Sequence, residues 1–264
     1  MDNPFQLALL KFKSELELLN SLQSFIEARL NEFENSISSI VQEPIKVGDS
    51  IPFLCCNSLQ IRDPETKHII SYGCTMFTTD YGLFKSLVPQ VGQNYSAFTF
   101  AQTVDRFKDF IDDIIKRCES TSLKPISIQI NEKKKELNNS KDKANIKTRD
   151  KINILHSNLP SFSENSKVYY LQYFELVTEM RNAIIHYNSV VKNARLRKYL
   201  HLLKHFFSIE IPINATDIKL EIKRADIEIA AIILLEYSYV LCKHLSLSAG
   251  FPFELPRQFP VEQL

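Results

Sequence analysis

The chain has no tryptophan, three methionines and only five glycines in 264 residues. Dinucleotide-binding and phosphate-binding loops need glycine at fixed offsets, and none of those patterns occurs. This scarcity excludes a glycine-punctuated α/β enzyme and favours a helix-rich chain. The Gly-rich loop of a kinase is missing, as is the Gly-Ser with paired aspartates of a nucleotidyltransferase. Cysteine is scarce and odd in number: Cys55, Cys56, Cys74, Cys118 and Cys242 contain one close pair, and that pair is adjacent. Neither a disulfide framework nor a C-x-x-C zinc knuckle fits, and a reducing cytoplasm is the simplest compartment. Charge surplus is lacking too: 32 Lys and Arg against 31 Asp and Glu leave a formal net charge of +1. With no global nucleic-acid footprint, RNA binding would have to rely on local basic clusters. No apolar run suits a membrane. The longest, Ile227 to Cys242, is interrupted by Glu228 and Glu236 and falls short of the ~20 residues a bilayer requires. The opening stretch, MDNPFQLALLKFKSELELL, begins with an acid and carries Lys and Glu through its apolar run, which is not the pattern of a signal peptide.

Against these absences stands 44% hydrophobic residues, enough for a real core. Asn3-Pro4 offers a helix cap followed by Pro in the first turn. Phe5, Leu9, Phe12, Leu16, Leu19, Gln23, Ile26, Leu30, Phe33, Ile37 and Ile40 then alternate steps of four and three, so one seam runs along a single long helix, with Gln23 its only polar member. The spacing suits a coiled coil between protomers and the longest helix of an intramolecular bundle equally. From Pro44 to Gln93 the texture changes to Pro and Gly punctuation. SLQIRDPETKHIISYG predicts two short strands around an Asp63-Pro64-Glu65-Thr66 turn, with CTMFTT extending the second. His68 and Asp80 are isolated there and read as surface residues.

Asn94 to Ser120 is helical again, with Phe100, Val104, Phe107, Ile111, Ile114 and Cys118 in step. After Pro125, ISIQI predicts a short strand. NEKKKELNNSKDKANIKTRDK follows as a solvated helix or mobile linker, or as a source of phosphate contacts from Lys133, Lys134, Lys135, Lys141, Lys143, Lys147 and Arg149. The expected fold is all-α, an up-and-down helical bundle with a small β-hairpin insertion. Residues 1–42 form the long N-terminal helix, 43–93 the insertion and 94–264 the bundle, with a polar segment at 131–151; the first and third make one composite domain.

The segment from Tyr169 to Val191 predicts a buried helix free of Gly and Pro. Its oddity is a polar stripe: Glu175, Glu179, Asn182 and His186 follow at spacings of four, three and four. Arg181 sits beside that stripe. Five residues turn through about 500°, so Arg181 and His186 point roughly 140° apart; the long guanidinium must swing back, or a second copy must bring its own pair across a two-fold axis. KNARLRKYLHLLKHFF comes next, and its Arg195, Arg197, Lys198 and Lys204 are the candidates for holding a phosphate backbone close to His186. His201 and His205 have i,i+4 spacing without an intervening Glu or a third ligand, which predicts a half-exposed helix face rather than a metal pair. Asp226 is expected to cap the last helix, Ile227 to Leu245, before a loose tail from Gly250.

The hexad Arg181-Asn182-Ala183-Ile184-Ile185-His186, on a long apolar helix and preceded by Glu179, resembles the Arg-x-x-x-x-His signature of the HEPN superfamily (higher eukaryotes and prokaryotes nucleotide-binding domains). The resemblance covers this helix and the stretch from about Ser166 to Leu247. It implies a metal-independent endoribonuclease of the toxin, abortive-infection or CRISPR-associated kind, without cofactor. It further implies a homodimer that pairs two motifs into one active site, and an antitoxin or defence-system partner. Arg181, Asn182 and His186 would then be catalytic, with Glu175, Glu179 and Tyr187 in support. An imidazole with a free-peptide pKa of about 6.5 can take the proton of the ribose 2′-hydroxyl or give one to the leaving 5′-oxygen. Arg181 would neutralise charge on the phosphorane-like transition state, Asn182 would hold the phosphate or orient the imidazole, and Glu179 would pair with Arg181 or with the other subunit. The products would be a 2′,3′-cyclic phosphate and a 5′-hydroxyl. The competing expectation is a non-catalytic helical interaction or RNA-binding module, which the heptad helix supports.

Overall fold

A computed structural model describes residues 2–40, 50–54, 59–62, 69–72, 76–139, 146–159, 162–207, 209 and 215–254. In chain order the elements are α1 (Pro4–Ile40), β1 (Ser50–Leu54), β2 (Leu59–Arg62), β3 (Ile69–Tyr72), β4 (Met76–Asp80), α2 (Tyr81–Cys118), α3 (Lys124–Asn139), α4 (Thr148–Ser157), α5 (Glu164–His186), β5 (Val190–Lys192), α6 (Asn193–Arg197), α7 (Leu200–Phe206), β6 (Asp217–Lys219) and α8 (Arg224–Ser248). The fold is all-α, and among the described residues its strands form only three two-stranded antiparallel ladders. Contacts group the chain into two units, residues 1–24 with 95–264, and residues 25–94.

The larger unit begins with the cap expected of Asn3. Its Oδ1 accepts from the backbone N–H of Phe5 (3.0 Å) and Gln6 (3.2 Å), satisfying donors that the first turn leaves free. Its Nδ2 donates to Ser246 Oγ and to the Pro252 carbonyl, both at 2.9 Å, which ties the start of α1 to the end of α8. Phe5, Leu9, Phe12 and Leu16 are buried, and Phe12 stacks on Phe110 of α2 with ring centroids 4.9 Å apart. Gln23 is buried as well. Its Nε2 donates to Ser96 Oγ and its Oε1 accepts from Thr99 Oγ1, each at 3.0 Å, so up to this residue the heptad seam pairs within the chain. Phe107 is the hub of the core, with ring centroids 6.1 Å from Phe12, 5.3 Å from Phe174 of α5 and 5.8 Å from Tyr237 of α8. His156 of α4 is buried against this layer, its Nε2 2.8 Å from the Tyr237 hydroxyl. Burial, with the positive charge of Lys167 nearby, pushes its pKa down to about 4.

In the smaller unit β2 pairs with β3, Leu59 opposite Tyr72 and Arg62 opposite Ile69; the Asp63-Pro64-Glu65-Thr66 turn, Cys55, Cys56, Cys74 and His68 lie outside the described residues. The strand from Met76 does not extend β3. It pairs with β1 in a second ladder, Phe53 opposite Phe77.

Other expectations are corrected in the same way. α2 begins at Tyr81 rather than near Asn94 and runs through Pro89, so proline there is not the boundary it resembles. ISIQI is helical, within α3: Ile126 and Ile130, one turn apart, are buried while Ile128 between them is exposed, a period of 3.6 rather than 2. Residues 131–139 continue that helix, α4 starts at Thr148, and residues 140–145, with Lys141 and Lys143, lie outside the described residues. α8 starts at Arg224, so Asp226 caps from inside the first turn, its carboxylate accepting from the Lys223 N–H at 2.8 Å. Cys118 and Cys242 are buried free thiols. Among the described residues no helix is long and apolar enough to cross a membrane.

Candidate functional site

The motif helix starts where Ser163 Oγ accepts from the Ser166 N–H and stops five residues earlier than its apolar pattern suggests, at His186. Asn188 and Ser189 take left-handed backbone, with φ of 50° and 62°, and Val190 enters a strand. Asparagine tolerates that region better than most residues, because its short polar side chain bonds locally. The N–H groups of Tyr187 (3.0 Å) and Ser189 (2.9 Å) both donate to the Ala183 carbonyl, closing the helix end. β5 then pairs with β6, Val191 opposite Ile218, and both side chains are buried.

On that last turn Arg181 and His186 meet within one chain. Arg181 Nη1 reaches to 3.5 Å from His186 Nε2 and donates to Asn182 Oδ1 at 3.3 Å. The first of these is at the outer limit of hydrogen bonding and is attractive only while Nε2 carries a lone pair. His186 and Tyr187 are exposed, their rings 6.2 Å apart. The other side of the guanidinium is turned inward: Nε (3.2 Å) and Nη2 (2.8 Å) both donate to Asp105 Oδ2 of α2. Asp105 Oδ1 in turn accepts from Lys108 Nζ at 3.2 Å. Burial raises the Asp105 pKa, but the hydrogen bond from Arg181 and the charge of Lys108 outweigh it and hold the carboxyl below its ordinary range.

The carboxylate partner of Arg181 is therefore Asp105, not Glu179. Glu179 instead lies 3.5 Å from Arg195 Nη1. Glu175, one turn back, pairs with Arg149 Nε at 2.7 Å and accepts from the Tyr199 hydroxyl at 2.8 Å. Burial and that carboxylate together push the tyrosine pKa upward. The acidic stripe is neutralised by cations from α4 and α6, as partly buried carboxylates require.

Two clefts flank the stripe and share Glu179 and Asn182. One, of about 420 Å³, is bounded by Tyr187, Lys192, Arg195 and Asp217. The other, of about 530 Å³, is bounded by Lys108, Lys147, Arg149, Glu175 and Lys198, and Thr178 Oγ1 in its wall is buried without a hydrogen-bond partner. Of the four cations proposed for a phosphate backbone, Arg195 and Lys198 line a cleft, with Lys198 Nζ 4.6 Å from the centre of the Tyr199 ring. Arg197 and Lys204 line neither; Arg197 Nε donates to Asn193 Oδ1 at 3.0 Å. His201 and His205 are exposed. Asp105, Lys108 and Arg149 come from other helices; nothing in their local sequence marks Asp105 and Lys108, whereas Arg149 belongs to the basic segment read as a source of phosphate contacts and, with Lys147, lines the second cleft. Compared with family models, with curated proteins and with solved structures, the chain matches none.

Proposed function

We propose that this protein is a metal-independent endoribonuclease of the HEPN kind, acting in the cytoplasm as a homodimer in a toxin or anti-phage defence setting. The observation that carries the reading is the meeting of Arg181 Nη1 with His186 Nε2 at 3.5 Å on an exposed helix end, beside clefts lined in part by lysine and arginine. A phosphodiester seated against Arg181 and Asn182 would be neutralised by the guanidinium. His186 would take the 2′-hydroxyl proton as that oxygen attacks phosphorus, and the P–O5′ bond would break with a proton returned to the leaving oxygen. DNA lacks the attacking hydroxyl and would resist. Asp105 would act as a positioning residue, fixing two guanidinium nitrogens so that the third faces outward.

The test is incubation of purified protein with total RNA in EDTA, beside His186→Ala. Cleavage by the wild type alone, leaving 2′,3′-cyclic phosphate ends, is expected; equal cleavage by both proteins, or cleavage only after metal is added, overturns the mechanism. In cells, expression should arrest growth and His186→Ala or Arg181→Ala should relieve the arrest. One observation favours a second reading, a non-catalytic RNA-binding or interaction module: Arg181 commits Nε and Nη2 to an internal ion pair. That reading expects RNA binding with intact RNA and no growth difference between wild type and variants.

A further inference from the structure

Because the seam through Phe5, Leu9, Phe12, Leu16 and Gln23 is consumed inside the chain, the opposite face of α1 would be expected to be polar, and it is not. Leu7, Leu10, Leu18 and Leu22 are 47%, 37%, 61% and 43% exposed. At ~100° per residue, Leu7, Leu10 and Leu18 all lie within about 40° of the direction of Ser14. Isolated exposed leucines are ordinary, but an outward stripe on a helix whose other face is already buried is not. Ser14 adds no bulk at the centre of this stripe, and its hydroxyl is folded back onto the Leu10 carbonyl at 3.0 Å.

Charge identifies the occupant. Residues 10–18 read Leu-Lys-Phe-Lys-Ser-Glu-Leu-Glu-Leu, a sequence that mirrors about Ser14 with the sign of charge inverted. We infer that the outward stripe of α1 docks on the same stripe of a second copy, antiparallel, about a two-fold axis at Ser14. In that arrangement Leu10 of one copy meets Leu18 of the other, and the two serines let the helices close. On one flank Lys11 lies beside Glu15 of the other copy, and on the opposite flank Lys13 lies beside Glu17. The same four charges pair within each chain, Lys11 with Glu15 at 4.0 Å and Lys13 with Glu17 at 3.0 Å, so the dimer extends existing pairs into a network. A parallel pairing would set Lys11 against Lys13 and Glu15 against Glu17, and is disfavoured by like charge. An isologous contact of this kind is self-complementary, as closed two-fold assembly demands. It is independent of the ribonuclease reading and uses a different surface from the helix end that carries His186.

The test is sedimentation of the full chain over a roughly hundredfold range of concentration. A concentration-dependent dimer is expected, weakened at least ~10-fold by Leu18→Glu. The paired variants Lys11→Glu/Lys13→Glu and Glu15→Lys/Glu17→Lys should each lose the self-association made through α1 and should regain it when mixed, whatever contact the helix end at His186 makes. Lys11, Lys13, Glu17 and Leu18 are exposed and Glu15 is half-buried; Leu18→Glu should match wild type in circular dichroism and unfolding midpoint, and the charge variants, which also lose the pairs within each helix, should keep the wild-type circular dichroism spectrum. A wild type that stays monomeric overturns the inference. So does a dimer untouched by Leu18→Glu and by both charge variants, which would point to a contact elsewhere, and so does failure of the two charge variants to pair on mixing.

Discussion

Replacing Asp105 with alanine removes the carboxylate that holds two nitrogens of the Arg181 fork and the ammonium of Lys108. The size of the effect follows from burial. The Arg181 and Asp105 side chains are 20% and 29% exposed, between a surface pair worth about 0–1 kcal/mol and a buried pair whose disruption costs about 3–5 kcal/mol. A loss near 2 kcal/mol is expected, read as a lower urea midpoint with an unchanged slope. Asp105→Asn should lose somewhat less, because the amide oxygen still accepts from the guanidinium. The pH dependence has a definite sign. The folded fold holds the Asp105 pKa below its ordinary value, so its contribution is present above about pH 4 and is lost as pH falls through the depressed value. The stability curves of wild type and Asp105→Asn should therefore lie apart near neutrality and converge in acid. A double-mutant cycle with Arg181→Ala isolates the pair. A coupling energy near zero, or curves equally separated at low and neutral pH, would refute the account of Asp105 as the residue that positions Arg181.

Other expectations follow from the core. Phe107→Ala should cost roughly 3–5 kcal/mol in denaturant unfolding, since its ring is shared by α1, α2, α5 and α8. Gln23→Leu should cost about 1–3 kcal/mol by stranding the hydroxyls of Ser96 and Thr99, whereas an exposed substitution such as Lys13→Ala should change little. His156 is held neutral, so the unfolded chain binds the extra proton; stability should fall by up to about 3 kcal/mol as pH drops from about 6.5 to about 4, and His156→Gln should flatten that slope.

What the sequence made legible is what local chemistry decides. Asn3-Pro4 marked the start of α1 because capping needs only the next three residues, and the four-three beat from Phe5 marked the face that is buried. The beat could not say whether the opposing surface belonged to the same chain; that depended on Ser96 and Thr99 reaching Gln23 across more than seventy positions. ISIQI misled because its isoleucines alternate, yet three residues cannot separate a period of 2 from one of 3.6 when the polar stretch that follows is itself helical. The polar stripe on α5 was visible, and so was the need for partners. Their identity was not, because Asp105, Arg149 and Tyr199 are set by how α2, α4 and the turn between α6 and α7 pack and not by any motif they carry.

A helix that closes on its histidine surrenders the aim of that side chain to whatever fastens the next few residues. Here the fastening is the three-residue ladder of Val190–Lys192 with Asp217–Lys219, pinned by Val191 and Ile218. Loosening that small ladder would let the terminal turn fray and the imidazole wander, with no atom of Arg181, Asn182 or His186 altered. Two buried aliphatic side chains, Val191 and Ile218, would thus set how sharply the polar group at His186 is aimed.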